Sequence, residues 1–155
     1  MDTTALVGHL AAWNYYQSVD TPQNKQFVSN FKAYCKKNNL PDGDKRVTDD
    51  PIEAAYFGVH VWKQAVEKAG SIEVDKVRKA VYGQKFLAPG GEIMMDQGNH
   101  HTHKPVLIGE ILKDGQFKIV SRSKGFVKPE PWSEYTSPDK GCDWISHQGT
   151  YSKKG

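Results

Sequence analysis

At 155 residues the chain is long enough for one domain with a sizeable core, and 37% hydrophobic with 25% charged residues excludes a disordered segment or a repeat array. The net charge of +3 comes from lysines spread along the chain, which sets nucleic-acid binding aside. No apolar run approaches the roughly 18 residues of a membrane span, and the first residues lack the charged and apolar regions of an export signal.

Leu6 to Trp13 is a short, mostly apolar run that suits a buried strand. It leads into Asn14-Tyr15-Tyr16-Gln17-Ser18, whose aromatic bodies with hydroxyl and amide tips suit either an ordinary core or the walls of a site for a small polar ligand. Thr21-Pro22 then opens a helix in which Phe27, Val28, Phe31, Tyr34 and Cys35 share one face, running to about Asn38. Proline, glycine and carboxylates from Asn39 to Asp44 make the next loop.

A longer helix spans Asp50 to Gly70. Asp50 reads as its N-cap, Pro51 as its first turn, Glu53 as the partner that closes a capping box, and Gly70 as the stop. Polar residues fall on a single stripe (Glu53, His60, Lys63, Gln64, Glu67), so most of the helix, including Ile52, Tyr56, Val59 and Trp62, is expected to be buried. Glu53, alone in the apolar first half, either serves the capping box or faces a ligand cleft. Ser71 starts a shorter helix through Tyr82, with Val74, Val77 and Val81 on one face and Gly83 at its end.

The period changes after Gly83. Phe86 to Asp96 holds a Pro89-Gly90-Gly91 break followed by a strand-like run. Val106 to Leu112 and Phe117 to Ser121 flank Lys113-Asp114-Gly115-Gln116, a hairpin signal that sets Leu112 opposite Phe117. The prolines of Lys128 to Trp132 predict extended, surface-bound chain, and from Thr136 onward the composition is polar with Trp144 as the one anchor.

His100-His101-Thr102-His103 is the one cluster with metal-ligand chemistry. Adjacent histidines in a loop point apart, and no Cys or acidic pair completes a zinc pattern. Neither Cys35 nor Cys142 lies beside a candidate base, and no nucleophile elbow or phosphate loop occurs, so the reading is of a non-enzyme that needs no cofactor. A metal-dependent enzyme using His100 to His103 is the alternative from another class.

Taken together, Gly8-His9-Leu10-Ala11-Ala12-Trp13-Asn14-Tyr15, Asp20-Thr21-Pro22, Asp50-Pro51-Ile52-Glu53-Ala54-Ala55-Tyr56, Ala88-Pro89-Gly90-Gly91, Asn99-His100-His101, Gly109-Glu110-Ile111 and Pro129-Glu130-Pro131-Trp132 resemble the urea and short-chain amide binding proteins of ABC importers. The likeness covers residues 4 to about 135 and implies an α/β fold, the C-terminal portion of a two-lobed type I periplasmic binding protein, with three helices and a C-terminal β-hairpin. On this reading residues 1–135 belong to the ligand-binding domain and 136–155 form a polar tail. Trp13 to Ser18 is then one hinge crossing, the helices belong to one lobe, the chain crosses back at Pro89-Gly90-Gly91, and the hairpin lies in the other lobe. The implied activity is capture of urea or a short-chain amide in the periplasm, by closure of the lobes, for delivery to membrane permease subunits. The same scaffold could instead serve a regulator that senses an amide or a branched-chain amino acid. Urea offers several N–H donors and one carbonyl, so a carboxylate and tyrosines suit it, and the candidates are Tyr15, Tyr16, Glu53 and Tyr56.

Overall fold

In the computed structural model, which describes residues 4–130, the chain makes two separate three-stranded antiparallel sheets with three helices between them in sequence. A short 3₁₀ turn, Thr4–Leu6, precedes β1 (Leu10–Trp13), which pairs with β5 (Leu107–Ile111); β5 in turn pairs with β6 (Phe117–Arg122). The other sheet is a meander of β2 (Lys85–Ala88), β3 (Gly91–Met95) and the two-residue β4 (Thr102–His103). This is the expected α/β arrangement, with three helices and a hairpin at the C-terminal end of the described chain. Residues 131–155, which include Cys142, Trp144 and the polar tail, lie outside the described residues.

Helix α1 (Pro22–Lys37) starts where the sequence places it, because the Thr21 hydroxyl accepts from the Asn24 N–H at 3.0 Å and Pro22 loses nothing by lacking a donor. Helix α2 (Asp50–Ala69) starts one residue earlier than its sequence suggests. Asp49, in extended conformation, is the cap and accepts from the Ile52 N–H at 2.9 Å, so Asp50 is already helical and Glu53 is not the residue that closes a capping box. Gly70, at a φ of +60°, ends the helix as expected.

Only one face of α2 is covered. Glu53, Phe57, Val61 and Ala65, four residues apart, face inward, whereas Tyr56, Val59 and Trp62 are 40%, 66% and 55% exposed. The expectation of a mostly buried helix is therefore corrected: the meander lies against one side, and Phe57 and Val61 form a core there with Ala88 and Ile93. Helix α3 (Val74–Ala80) packs beside α2 through Val77, and leaves Val74 exposed.

A second, smaller core joins Tyr16, Val19 and Leu107, with Phe117 and Ile119 against them. Tyr16 stacks on Phe117 with ring centroids 4.3 Å apart, and it can lie on β5 only because residue 109 is glycine; a Cβ there would sit 2.9 Å from each ring. β1 is not the buried strand its composition suggests. It is an edge strand bonded on one side only, and Leu10 and Trp13 are more than half exposed.

Two turns also differ from expectation for identifiable reasons. The Asp114-Gly115 hairpin forms, but Leu112 pairs with Gln116 and Ile111 with Phe117, because Gly115 at φ +76° closes a three-residue loop onto the Leu112 carbonyl. Pro89-Gly90 is the turn between β2 and β3, so the chain folds back within one sheet there. The return to the other sheet comes later, between β4 and β5, at residues 104–106.

Candidate functional site

A cleft of about 490 Å³ opens along the first crossing, between the start of α2 and the β1–β5–β6 sheet. One wall is Trp13 to Gln17, another is Val47 to Pro51 at the start of α2, and the third is Gly115 to Phe117 at the hairpin tip. Among the described residues its lining holds two carboxylates, Asp49 and Asp50, two carboxamides, Gln17 and Gln116, and no Lys, Arg or His.

Tyr15 lies at its floor, 1% exposed, with its hydroxyl 2.7 Å from Asn24 Oδ1, to which it donates, and 2.9 Å from Thr48 Oγ1. Burial pushes its pKa up to about 12, and the nearby Glu53 carboxylate adds to the rise, so the hydroxyl keeps its proton. Tyr16 also lines the cleft, but its hydroxyl donates to the Ala11 carbonyl at 2.6 Å; burial raises its pKa as well.

Glu53 and Tyr56 sit elsewhere. Glu53 is fully buried beneath the cleft: Oε1 accepts from the Gly90 N–H at 2.7 Å and Oε2 from Lys104 Nζ at 2.7 Å. Lys104 also reaches Asp50 Oδ1 at 2.5 Å, so one ammonium serves two carboxylates of α2. Tyr15 meets Glu53 at Gly90, where a Cβ would lie 2.8 Å from Glu53 Oε1 and 3.3 Å from the Tyr15 ring. Tyr56 is on the partly exposed side of α2, against Phe27 and His60. Of the four candidates, the structure brings Tyr15 and Tyr16 to the cleft, holds Glu53 behind it, and leaves Tyr56 outside.

Sequence reasoning named Asn14, Gln17 and Ser18 only as part of a polar run and missed the roles that they, with Asn24 and Thr48, take in organising this site. The Gln17 side chain accepts from the Thr48 N–H at 2.9 Å, and Asn24 Nδ2 donates to the carbonyls of Gln17 and Val19. Ser18 Oγ donates to the Phe117 carbonyl and Asn14 Nδ2 to the Pro105 carbonyl, so the crossing segment is bonded to both bodies. The one available signal was a run of polar side chains between two elements, which a connection must spend on its own backbone. Arg122 links the bodies at another point, donating to the Gly90 carbonyl at 2.9 Å.

The histidines are dispersed. His100 stacks on Tyr82 with centroids 4.1 Å apart, His101 is exposed, and His103 is buried with Nε2 2.8 Å from Asp96 Oδ2. Among the described residues no group of three or more His, Cys, Asp or Glu could hold a metal ion. Asp96 also accepts from the Gly98 N–H at 2.7 Å, and that bond, then the one to His103, holds its carboxyl below the usual carboxylate range. A carboxyl whose pKa falls on folding stabilises the fold above its unfolded value near 4, and the contribution is lost as pH falls through the folded value. Thermal melts from about pH 6 to about pH 3 are therefore expected to fall more steeply for the parent chain than for Asp96→Asn; equal slopes would remove Asp96 from the acid response.

A family described as a periplasmic binding protein domain matches residues 1–138. The chain is 26% identical over 114 residues to the Leu/Ile/Val-binding protein homolog 6 of Brucella abortus (strain 2308), covering 72% of this chain and 27% of that protein. It is 30% identical over 131 residues to a Geobacillus stearothermophilus protein named limonene hydroxylase, covering 84% of this chain and 23% of that one. The fold superposes, with a TM-score of 0.65 and 27% identity, on a solute-binding protein of an ABC transporter from Rhodopseudomonas palustris HaA2, solved in complex with p-hydroxybenzoic acid. That match covers 80% of this chain and 33% of the other, so the chain spans a third of that structure and about a quarter of the two curated relatives.

Proposed function

The chain belongs to the periplasmic binding protein family, and from that membership we propose that it is part of a non-catalytic receptor that captures urea or a short-chain amide for an ABC importer. Its partners on this reading are the ligand and the importer's permease subunits, its compartment is the periplasm, and capture works by closing two lobes over the cleft. Tyr15 and Tyr16 are its aromatic walls. Glu53 supports the site from behind by fixing Gly90 and Lys104, and Tyr56 is left with a packing role.

What supports the amide reading is the lining of the cleft. Carboxylates, carboxamides and hydroxyls suit a neutral ligand rich in N–H groups, and among the described residues no Lys, Arg or His lines the cavity. Asp49 also occupies the helix N-terminus, accepting the Ile52 N–H that would otherwise greet an anion. A ligand carboxylate about 4 Å from Asp49 would be disfavoured by about 1 kcal/mol in water and up to about 4 kcal/mol at a protein-surface dielectric. The second reading, an aromatic acid, is favoured by the ligand in the Rhodopseudomonas palustris structure and by Trp13 and Tyr16 in this lining.

A ¹⁵N-labelled chain titrated with urea, acetamide and 4-hydroxybenzoate separates the two. Urea and acetamide are expected to shift the amide signals of Tyr15, Gln17 and Thr48 in a saturable way, with 4-hydroxybenzoate leaving them in place. The reverse pattern would establish the aromatic-acid reading.

A further inference from the structure

We propose that the ligand's amide group inserts between the side chains of Gln17 and Gln116, accepting at its carbonyl oxygen from Gln17 Nε2 and giving an N–H to Gln116 Oε1. This deepens the amide reading above and rests on it. The orientation of Gln17 is fixed by chemistry: its Oε1 lies 2.9 Å from the Thr48 backbone nitrogen, which can only donate, so its Nε2 must face the opposite way, across the cleft. There it meets Gln116 Oε1 at 3.4 Å, the long limit of a hydrogen bond and the most weakly held end of the side chain. The Gln17 backbone does not yield, because its carbonyl accepts from Asn24 Nδ2 at 2.8 Å.

The two tyrosine hydroxyls in this wall are already committed. Tyr15 donates to Asn24, and Tyr16 donates to the Ala11 carbonyl. Beside Asp49, Asp50 and these tyrosines, the carboxamide donor that a ligand carbonyl oxygen meets is Gln17 Nε2. The two carboxamides also belong to different bodies, Gln17 to the crossing that leads into the helices and Gln116 to the β5–β6 hairpin. A ligand that replaces their long mutual contact with two good hydrogen bonds ties those bodies together, which takes a group carrying both an acceptor and a donor, as urea and a primary amide do.

The test uses the whole 155-residue chain, ¹⁵N-labelled, with urea, acetamide and guanidinium chloride as probes, guanidinium having the shape of urea without its carbonyl acceptor. Urea and acetamide are expected to shift the side-chain NH₂ signals of both Gln17 and Gln116, and guanidinium to leave that of Gln17 in place. Gln17→Glu keeps the acceptor for Thr48 and exchanges the donor for a charged acceptor, so it should weaken urea and acetamide binding about tenfold while strengthening that of the guanidinium cation. Gln116→Ala, half-buried where the hairpin closes onto Leu112, should weaken both amides to a similar degree and decides the matter if Gln17→Glu fails to fold. Amide binding at the cleft that neither substitution weakens would overturn the insertion and leave the amide reading standing. No amide binding to the parent chain, with 4-hydroxybenzoate bound at the same cleft, would overturn both.

Discussion

Lys104→Met is expected to lower the stability of the fold by about 3–5 kcal/mol, the cost of leaving a buried carboxylate without its cation. Glu53 is fully buried, and Lys104 Nζ is the charge that compensates it, 2.7 Å away. Methionine matches the stem of the lysine, so lost volume contributes little, while the ammonium 5.1 Å from the Phe57 ring centroid goes with the charge. Glu53→Gln should cost less, about 1.5–3 kcal/mol, since a Gln oxygen can still accept from the Gly90 N–H while the amide NH₂ turns a donor toward the ammonium. Urea-free chemical denaturation with guanidinium, read by far-UV circular dichroism, measures both. A loss below about 1 kcal/mol for Lys104→Met would show that water reaches Glu53 and that the pair is a surface one.

Leu107→Ala is expected to cost about 2–5 kcal/mol, and to spend it unevenly. Leu107 is fully buried in the small core with Tyr16 and Val19, while Phe57, Val61, Ala88 and Ile93 form the other core. The cavity left by the missing methyls therefore opens in the β1–β5–β6 sheet alone. Hydrogen exchange should show the amides of β5 and β6 losing protection while those of α2 and β3 keep theirs. Equal loss in both would mean that the crossings and the Arg122–Gly90 bond couple the two bodies into one cooperative unit.

How much of this was legible depended on whether the determinant was local. The start of α1 is a threonine, a proline and a periodic apolar face, and all three act within a few residues, so the sequence reading of it held. The same signals misplaced the cap of α2 by one residue because Asp49 and Asp50 are chemically equal, and the choice rests on which of them is extended. Burial was misread wherever it depended on a partner element: Val59 and Trp62 have the composition of buried residues, but the meander covers only the Phe57 side of α2. The hairpin was readable from Asp114-Gly115, and its register was not, since it turns on the left-handed conformation of Gly115. Gln17 stood out only as one amide tip in a polar run, and Lys104 carried no signal. One sits in a polar connection and the other follows a histidine cluster, and each acquires its role from groups more than thirty positions away, Thr48 for the first and Glu53 for the second.

Among the described residues the chain passes between its two bodies three times, at residues 14–18, 104–106 and 123–127, and the passes lie side by side, joined by the bond from Asn14 to the Pro105 carbonyl and by those from Ser123 to Val106 and Val127 to Lys104. Three ribbons clamped together resist being wrung about their common length or slid past each other far more than one ribbon does, but they flex together with ease. The softest coordinate left to the molecule is thus a single bend across that joined strip. A fluorophore pair carried on α2 and on the β5–β6 turn would therefore report one distance changing along one path, and a single relaxation rate would describe it.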